Sequence, residues 1–202
     1  DIPSPWRTPA TQRGEIEVLV HVEAVGLNPV DFQTAARGHP DWRYPHVLGL
    51  DIAGRVVAVH AEPAARVSSR WILPEPGTRV VLHQDLRAQG GFAEYLSVAP
   101  DALAVIPPEL DPIAAASLPT PGLTALDVVE RRLRQIAGHK VLVHGASGGV
   151  GAFCVQLAKL FGATVIASAR PENEATVRAL GAMYVVDYRA ADFAEQVLAI
   201  AP

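Results

Sequence analysis

Hydrophobic and polar positions follow two different rhythms along this chain. In the first part, short runs of β-branched and other apolar residues at 16–22, 52–60, 79–82, 93–98 and 103–106 are separated by glycine and proline turns, the pattern of strands. Further on the period lengthens. Segment 122–135 sets Leu126, Val129 and Leu133 on one side of a predicted helix, with Arg131, Arg132 and Arg134 in its last turn, where cations suit the helix dipole. A predicted strand at 140–143 leads through a glycine-rich run into a helix with Val150, Cys154, Leu157, Ala158 and Phe161 on one face, stopped at Gly162. Runs at 163–169 and 184–188 predict two more strands. Pro171 and Glu172 open a helix that buries Val177 and Leu180 and ends at Gly181, and 192–200 predicts another.

The fold class is therefore α/β in two parts. To about residue 111 the pattern predicts a twisted, partly closed β-domain. After residue 121 the order strand, helix, strand, helix, strand, helix is one mononucleotide-binding half of a doubly wound parallel sheet. Proline marks the change, since 15 of the 17 prolines lie at or before Pro121. The expected domains are 1–121 and 122–202.

The run His144-Gly145-Ala146-Ser147-Gly148-Gly149-Val150-Gly151 carries the clearest chemistry. Between a strand and a helix, Gly145, Gly148 and Gly151 allow a tight turn, close approach of an anion and close helix packing. The helix N-terminus then points N–H groups and positive dipole at phosphates. It reads as a dinucleotide pyrophosphate loop.

Composition narrows the classes. Half of the residues are hydrophobic, enough for a sizeable core, and the formal net charge of −4 argues against nucleic acid as a partner. No stretch approaches the roughly 18 consecutive apolar residues of a membrane span, and the first residues show no basic region followed by an apolar run. No membrane association and a cytoplasmic location are the expectations. The single cysteine, Cys154, excludes an intrachain disulfide and a cysteine-rich zinc site, and its place on a helix face predicts a small core residue.

Several separated motifs then agree. Gly26-Leu27-Asn28-Pro29-Val30-Asp31, Leu48-Gly49-Leu50-Asp51-Ile52-Ala53-Gly54, Gly90-Gly91-Phe92-Ala93-Glu94-Tyr95, Leu118-Pro119-Thr120-Pro121-Gly122-Leu123-Thr124-Ala125 and the glycine loop resemble, in order and spacing, the medium-chain dehydrogenase/reductase superfamily. Within it the chain is most similar to the zinc-free quinone oxidoreductase and enoyl reductase branch. The resemblance implies a GroES-like β-domain followed by a Rossmann cofactor domain, here only a partial one. It also bears on zinc. Zinc-dependent members carry a cysteine at the position of Asn28 and Gly-His-Glu at Gly49-Leu50-Asp51, so no metal site is expected.

Without a Lewis acid, reduction of a quinone or an α,β-unsaturated carbonyl suits the site better than alcohol oxidation. The incoming charge spreads to an oxygen that a few hydrogen-bond donors can satisfy. The resemblance assigns Asn28 to face the substrate and nicotinamide, with Asp31 orienting the Asn28 loop or, alternatively, transferring protons. Thr124, Gly145, Ser147, Gly148, Gly149, Val150, Gly151, Ser168, Arg170 and Tyr188 are the candidate cofactor-binding residues. An NAD site wants a carboxylate about 20 residues after the loop, whereas this chain reads Ser168-Ala169-Arg170, with no acid before Glu172. Arg170 can pair with a 2′-phosphate, and Tyr188 matches a tyrosine near the adenosine phosphate in NADPH-dependent relatives, although Asn173 replaces their usual lysine. NADPH is the expected cofactor.

His39, Trp42 and Tyr44 fall in the segment that would line the substrate pocket, and no tyrosine aligns with the one some enoyl-thioester reductases use. His83 and His144 are expected to be structural. A non-catalytic cofactor-binding protein of the same fold is the alternative reading. The resemblance implies a sheet continuing beyond Pro202, with dimerisation through a later edge strand. The 202-residue segment alone is thus expected to leave the strand at Lys140 as an edge, to bind the adenosine half of NADPH weakly and to turn over little.

Overall fold

The computed structural model describes residues 16–61, 73–134 and 136–202. Residues 1–15 of the first expected domain and the last residue of the expected 122–135 helix lie outside them. The chain divides into two compact units, Asp1–Thr120 and Pro121–Pro202.

The first unit is built on an antiparallel sheet of β1 (Ile16–Gly26), β2 (Asp51–Ala61), β3 (Arg79–His83), β4 (Tyr95–Val98) and β5 (Leu103–Val105), in the order β4-β1-β2-β3-β5. Alternation sends Val18 and Val20 of β1, Ile52 and Val56 of β2, Val80 and Leu82 of β3 and Leu96 and Val98 of β4 into one cluster. Burying each such side chain contributes about 1.5–3 kcal/mol. Ala53 and Ile106 form a smaller cluster with Ala115 and Ala116 of α2 (Pro112–Ala116), a helix capped by the Asp111 carboxylate, which accepts from the Ile113 N–H at 2.7 Å. Register shifts between Leu19 and Val20 and between Val22 and Ala24 break the β1–β2 ladder, as bulges that bend and twist a sheet do.

Between β1 and β2 lies α1 (Pro29–Arg37), a helix that apolar periodicity does not predict, because its nine residues bury only Asp31. Asn28 before it is extended, and Pro29 occupies the first helical turn, where a missing N–H costs nothing. Farther on, segments 47–50 and 89–92 cross backbone to backbone. Gly90 donates to the Val47 carbonyl at 2.8 Å, Gly91 to Gly49 at 2.8 Å and Phe92 to Leu48 at 2.9 Å. A Cβ at Gly90 would lie 2.4 Å from the Leu48 carbonyl carbon, and one at Gly91 would lie 2.2 Å from Ile52 Cγ1.

The second unit holds a parallel sheet of β6 (Lys140–Val143), β7 (Thr164–Ser168) and β8 (Tyr184–Val186) in that order, so β6 is an edge among the described residues. Its helices are α4 (Gly149–Leu160), α5 (Glu174–Leu180) and α6 (Phe193–Ile200), with α3 (Pro119–Leu126) running into it from the end of the first unit. Val143, Val155, Ala158, Val165, Ala167 and Val177 form its core.

The predicted 122–135 helix is corrected at both ends. It starts earlier, at Pro119, and from Asp127 to Arg132 it widens into a π-helical turn in which Leu133 donates to the Val128 carbonyl. That wider turn breaks the 3.6-residue period, so Val129 is buried while Leu133 is turned out, 47 % exposed. Phe161, expected on the buried face of α4, is likewise exposed. No helix of the described residues is long and apolar enough to cross a membrane.

Candidate functional site

In the second unit the glycine run forms the turn from β6 into α4. Gly145 has φ +70°, a left-handed conformation, and Gly148 is the extended residue ahead of the helix. At Gly151 the chain touches itself, since a Cβ there would sit 2.2 Å from the Gly145 carbonyl oxygen. The outer side is open, with nothing within 4 Å of a Cβ placed at Gly145 and only Pro121 Cβ, at 3.6 Å, near one at Gly149. In the first turn the N–H groups of Gly149, Val150 and Gly151 have no intrahelical acceptor. These features fit a pyrophosphate: bare backbone, outward N–H groups and the positive end of a twelve-residue helix.

Ser168 is fully buried at the end of β7. Its hydroxyl accepts from the Gly145 N–H at 3.0 Å and lies 2.7 Å from His144 Nδ1, while its carbonyl accepts from the Ala146 N–H at 3.0 Å. Its hydroxyl therefore braces the loop from inside instead of being displayed to a ligand. His144 is held by Ser168 and packed edge-on against Tyr188 and Phe193. Ser147 lies exposed on the loop, where its hydroxyl accepts from Asn173 Nδ2 at 3.3 Å.

Two residues after Ser168, the exposed Arg170 donates from Nε to the Tyr188 hydroxyl at 2.9 Å. Its Nη1 lies 3.8 Å from Glu172 Oε1. The bond to Tyr188 sets the plane of the guanidinium and leaves Nη2 to meet an anion, with Nη1 shared with the exposed Glu172 carboxylate. Cys154 is buried beneath the loop, and burial pushes its thiol above the usual range, which suits a packing role.

The first unit contains a second cluster, centred on the fully buried Asp51. Its Oδ2 accepts from Asn28 Nδ2 and from the Thr120 N–H, each at 2.9 Å. Its Oδ1 accepts from the Thr120 hydroxyl at 2.8 Å and faces His83 Nδ1 at 2.9 Å. The β2–β3 register places Asp51 directly opposite His83. Burial opposes ionisation of Asp51, but hydrogen bonds from His83, Asn28 and Thr120 outweigh it and hold the carboxyl below its ordinary range. Because an ionised carboxylate only accepts, the His83 proton at this contact belongs on Nδ1.

Asp31 stands apart from this cluster. It is 6 % exposed, and its Oδ2 accepts from the Asn28 N–H at 2.8 Å. That bond braces the Asn28 backbone, while the other carboxylate oxygen, Oδ1, is buried with no hydrogen-bond partner among the described residues. Thr124 lies exposed on α3, and it is Thr120, one turn earlier, that reaches Asp51. His39, Trp42 and Tyr44 form an aromatic group in which Trp42 stacks on His46 at 4.2 Å and donates to the Leu86 carbonyl. Asp51, His83 and Thr120 were not among the expected site residues.

Comparison with known proteins agrees with both halves. The family model described as "Alcohol dehydrogenase GroES-like domain" matches residues 14–108, and that described as "Zinc-binding dehydrogenase" matches 149–202. The chain belongs to the medium-chain dehydrogenase/reductase superfamily. Within this superfamily it falls in the quinone oxidoreductase and enoyl reductase branch. It is 35 % identical to the trans-enoyl reductase tndF of Aspergillus flavipes over 94 % of this chain and 57 % of that protein. It is 34 % identical to the quinone oxidoreductase of Sus scrofa over 90 % of this chain and 53 % of that one. The solved quinone oxidoreductase from Coxiella burnetii superposes with a TM-score of 0.76 at 32 % identity, covering 89 % of this chain and 56 % of that one. The chain thus spans about half the length of these superfamily relatives.

Although one matching superfamily model is named for zinc, Asp51 does not suit a metal here. Each of its oxygens already meets two donors, and among the described residues no group of three or more His, Cys, Asp or Glu is placed to hold an ion. Purified protein is expected to contain no stoichiometric zinc. Elemental analysis giving about one zinc per chain, lost together with activity on chelation, would contradict this.

Proposed function

We propose that the protein is an NADPH-dependent oxidoreductase that reduces a quinone or an α,β-unsaturated carbonyl without zinc. The observation that carries this reading is the Arg170–Tyr188 pair placed just past the buried Ser168 that braces the glycine loop. A phosphate-binding turn and a guanidinium follow each other at the ends of adjacent parallel strands, and no carboxylate precedes Glu172 to claim a ribose hydroxyl.

In this reading the N–H groups of Gly149, Val150 and Gly151 hold the pyrophosphate, and Arg170 pairs with the 2′-phosphate. NADPH, when bound, supplies the hydride. Asn28 spends one amide hydrogen on Asp51 and keeps the other for the substrate oxygen, on which negative charge gathers as reduction proceeds. The names of relatives, trans-enoyl reductases and quinone oxidoreductases, support the same pair of substrate classes.

The test is cofactor discrimination. Arg170→Ala should weaken NADPH binding about ten-fold or more, as loss of a charge-assisted contact does, and leave NADH nearly unchanged. Fluorescence titration with both cofactors measures this directly. Equal losses for the two would remove Arg170 from the phosphate, and failure of the unaltered protein to bind NADPH at all, or to oxidise it even slowly in a single turnover with 1,4-naphthoquinone or 2-cyclohexenone, would overturn the reading.

A further inference from the structure

We propose that His83, oriented by the buried carboxylate of Asp51, is the proton donor that completes reduction of the substrate. This assignment rests on the reductase reading above and adds to it the second half of the reaction.

Hydride transfer alone leaves the product one proton short. NADPH, if bound, would be the reductant and would supply hydride to the β-carbon of an enone, so that a C–H bond forms there and the C=C electron pair moves onto the enolate. One proton must then reach the enolate α-carbon or, for a quinone, the remaining oxygen of the hydroquinone. The Asp51 carboxylate cannot deliver it, since that group is fully buried and enclosed by donors.

His83 meets the requirements that Asp51 fails. Its Nδ1 is engaged by Asp51 Oδ1 at 2.9 Å, with the Thr120 hydroxyl 3.3 Å away, and its side chain is 39 % exposed, so the far edge of the ring carrying Nε2 faces outward. The carboxylate fixes the tautomer and ring plane and stabilises the imidazolium, as a buried acid behind a catalytic histidine does. Asn28 and His83 are held by the two oxygens of the same carboxylate. In this assignment a substrate oxygen that accepts from the free Asn28 amide hydrogen sits beside the His83 ring. In the step itself the ring starts as the imidazolium with its Nδ1–H on Asp51; the Nε2–H bond breaks, the proton passes to the enolate α-carbon or the hydroquinone oxygen, and the Nδ1–H imidazole left behind takes a new Nε2 proton from solvent.

Single-turnover reduction, with protein in excess over NADPH and 2-cyclohexenone as substrate, tests this even where turnover is slow. His83→Gln should slow product formation about 100-fold, within the usual contribution of general acid catalysis, while NADPH binding stays unchanged. It should also raise the solvent deuterium isotope effect, and imidazole should restore rate to His83→Ala, responses that a purely structural role would not produce. In labelled protein, the His83 Nδ1 proton should appear as a downfield resonance that Asp51→Asn shifts or abolishes. A His83→Gln rate within about twofold of the unaltered protein, or an Nε2–H tautomer by NMR, would overturn the assignment and leave the reductase reading intact. Absence of NADPH oxidation in the unaltered protein would remove both.

Discussion

Asp51→Ala is expected to destabilise the first unit by about 2–4 kcal/mol, because it strips partners from four donor contacts around a fully buried position. At about 4–8 °C per kcal/mol for a unit of this size, the loss should be plain in a melting curve. The effect depends on pH with a definite sign. The folded-state carboxyl is held below its ordinary range, so its contribution is fully present above the unfolded-chain pKa and is lost as pH falls through the lower, folded-state value. The variant should therefore show its deficit at neutral pH and a shallower decline in stability in acid. A melting temperature within 2 °C of the unaltered protein, to use a rough threshold, would mean that the four contacts are energetically idle.

Gly151→Ala is expected to have the largest effect in the second unit. Its Cβ would meet the Gly145 carbonyl oxygen at 2.2 Å and Ala146 Cα at 2.9 Å, both backbone atoms that cannot swing aside. Relief requires the helix start to move off the loop, at a cost of about 1–3 kcal/mol in stability. The same displacement misaims the first-turn N–H groups, so NADPH affinity should fall at least about ten-fold. Gly122→Ala provides the control. Its Cβ would approach only Phe153 Cε1, at 3.9 Å, and in a helix this change should be neutral or stabilise by up to about 1 kcal/mol. Calorimetry and cofactor titration of the pair distinguish crowding at the loop from a general cost of adding a methyl group. Equal behaviour of the two variants would show that the close approach at Gly151 has no consequence.

The parts legible in the sequence share one property: their signal is local. The strands of the first unit show through period-two burial, as Val18 and Val20 or Val80 and Leu82 illustrate, and the glycine loop shows because strand, turn and helix follow within a few residues. Helix α1 escaped because Asn28-Pro29 marks a turn as readily as a helix start, and the helix has no apolar stripe to distinguish the two. The π turn at Asp127–Arg132 escaped because it alters the period on which the helix reading rests. The Asp51 cluster was invisible for another reason. Asn28, Asp51, His83 and Thr120 meet through strand pairing and chain crossings, with Asp51 and Thr120 69 positions apart, and no local pattern marks which polar residues a fold will bring together. One clue was available: an aspartate within the apolar stretch Leu50-Asp51-Ile52-Ala53, where a charge needs partners to be buried.

The crossing of segments 47–50 and 89–92 has a consequence for anyone who rebuilds this protein. Three backbone hydrogen bonds join stretches some forty residues apart, and the glycines between them leave no space for a methyl group. The two motifs behave as one mechanical part supplied in two pieces. A loop graft or a recombination breakpoint that takes one stretch from a different parent brings together surfaces shaped for other partners, and a screen that varies them separately will find mostly dead clones. Library designs should therefore inherit both stretches as a single block.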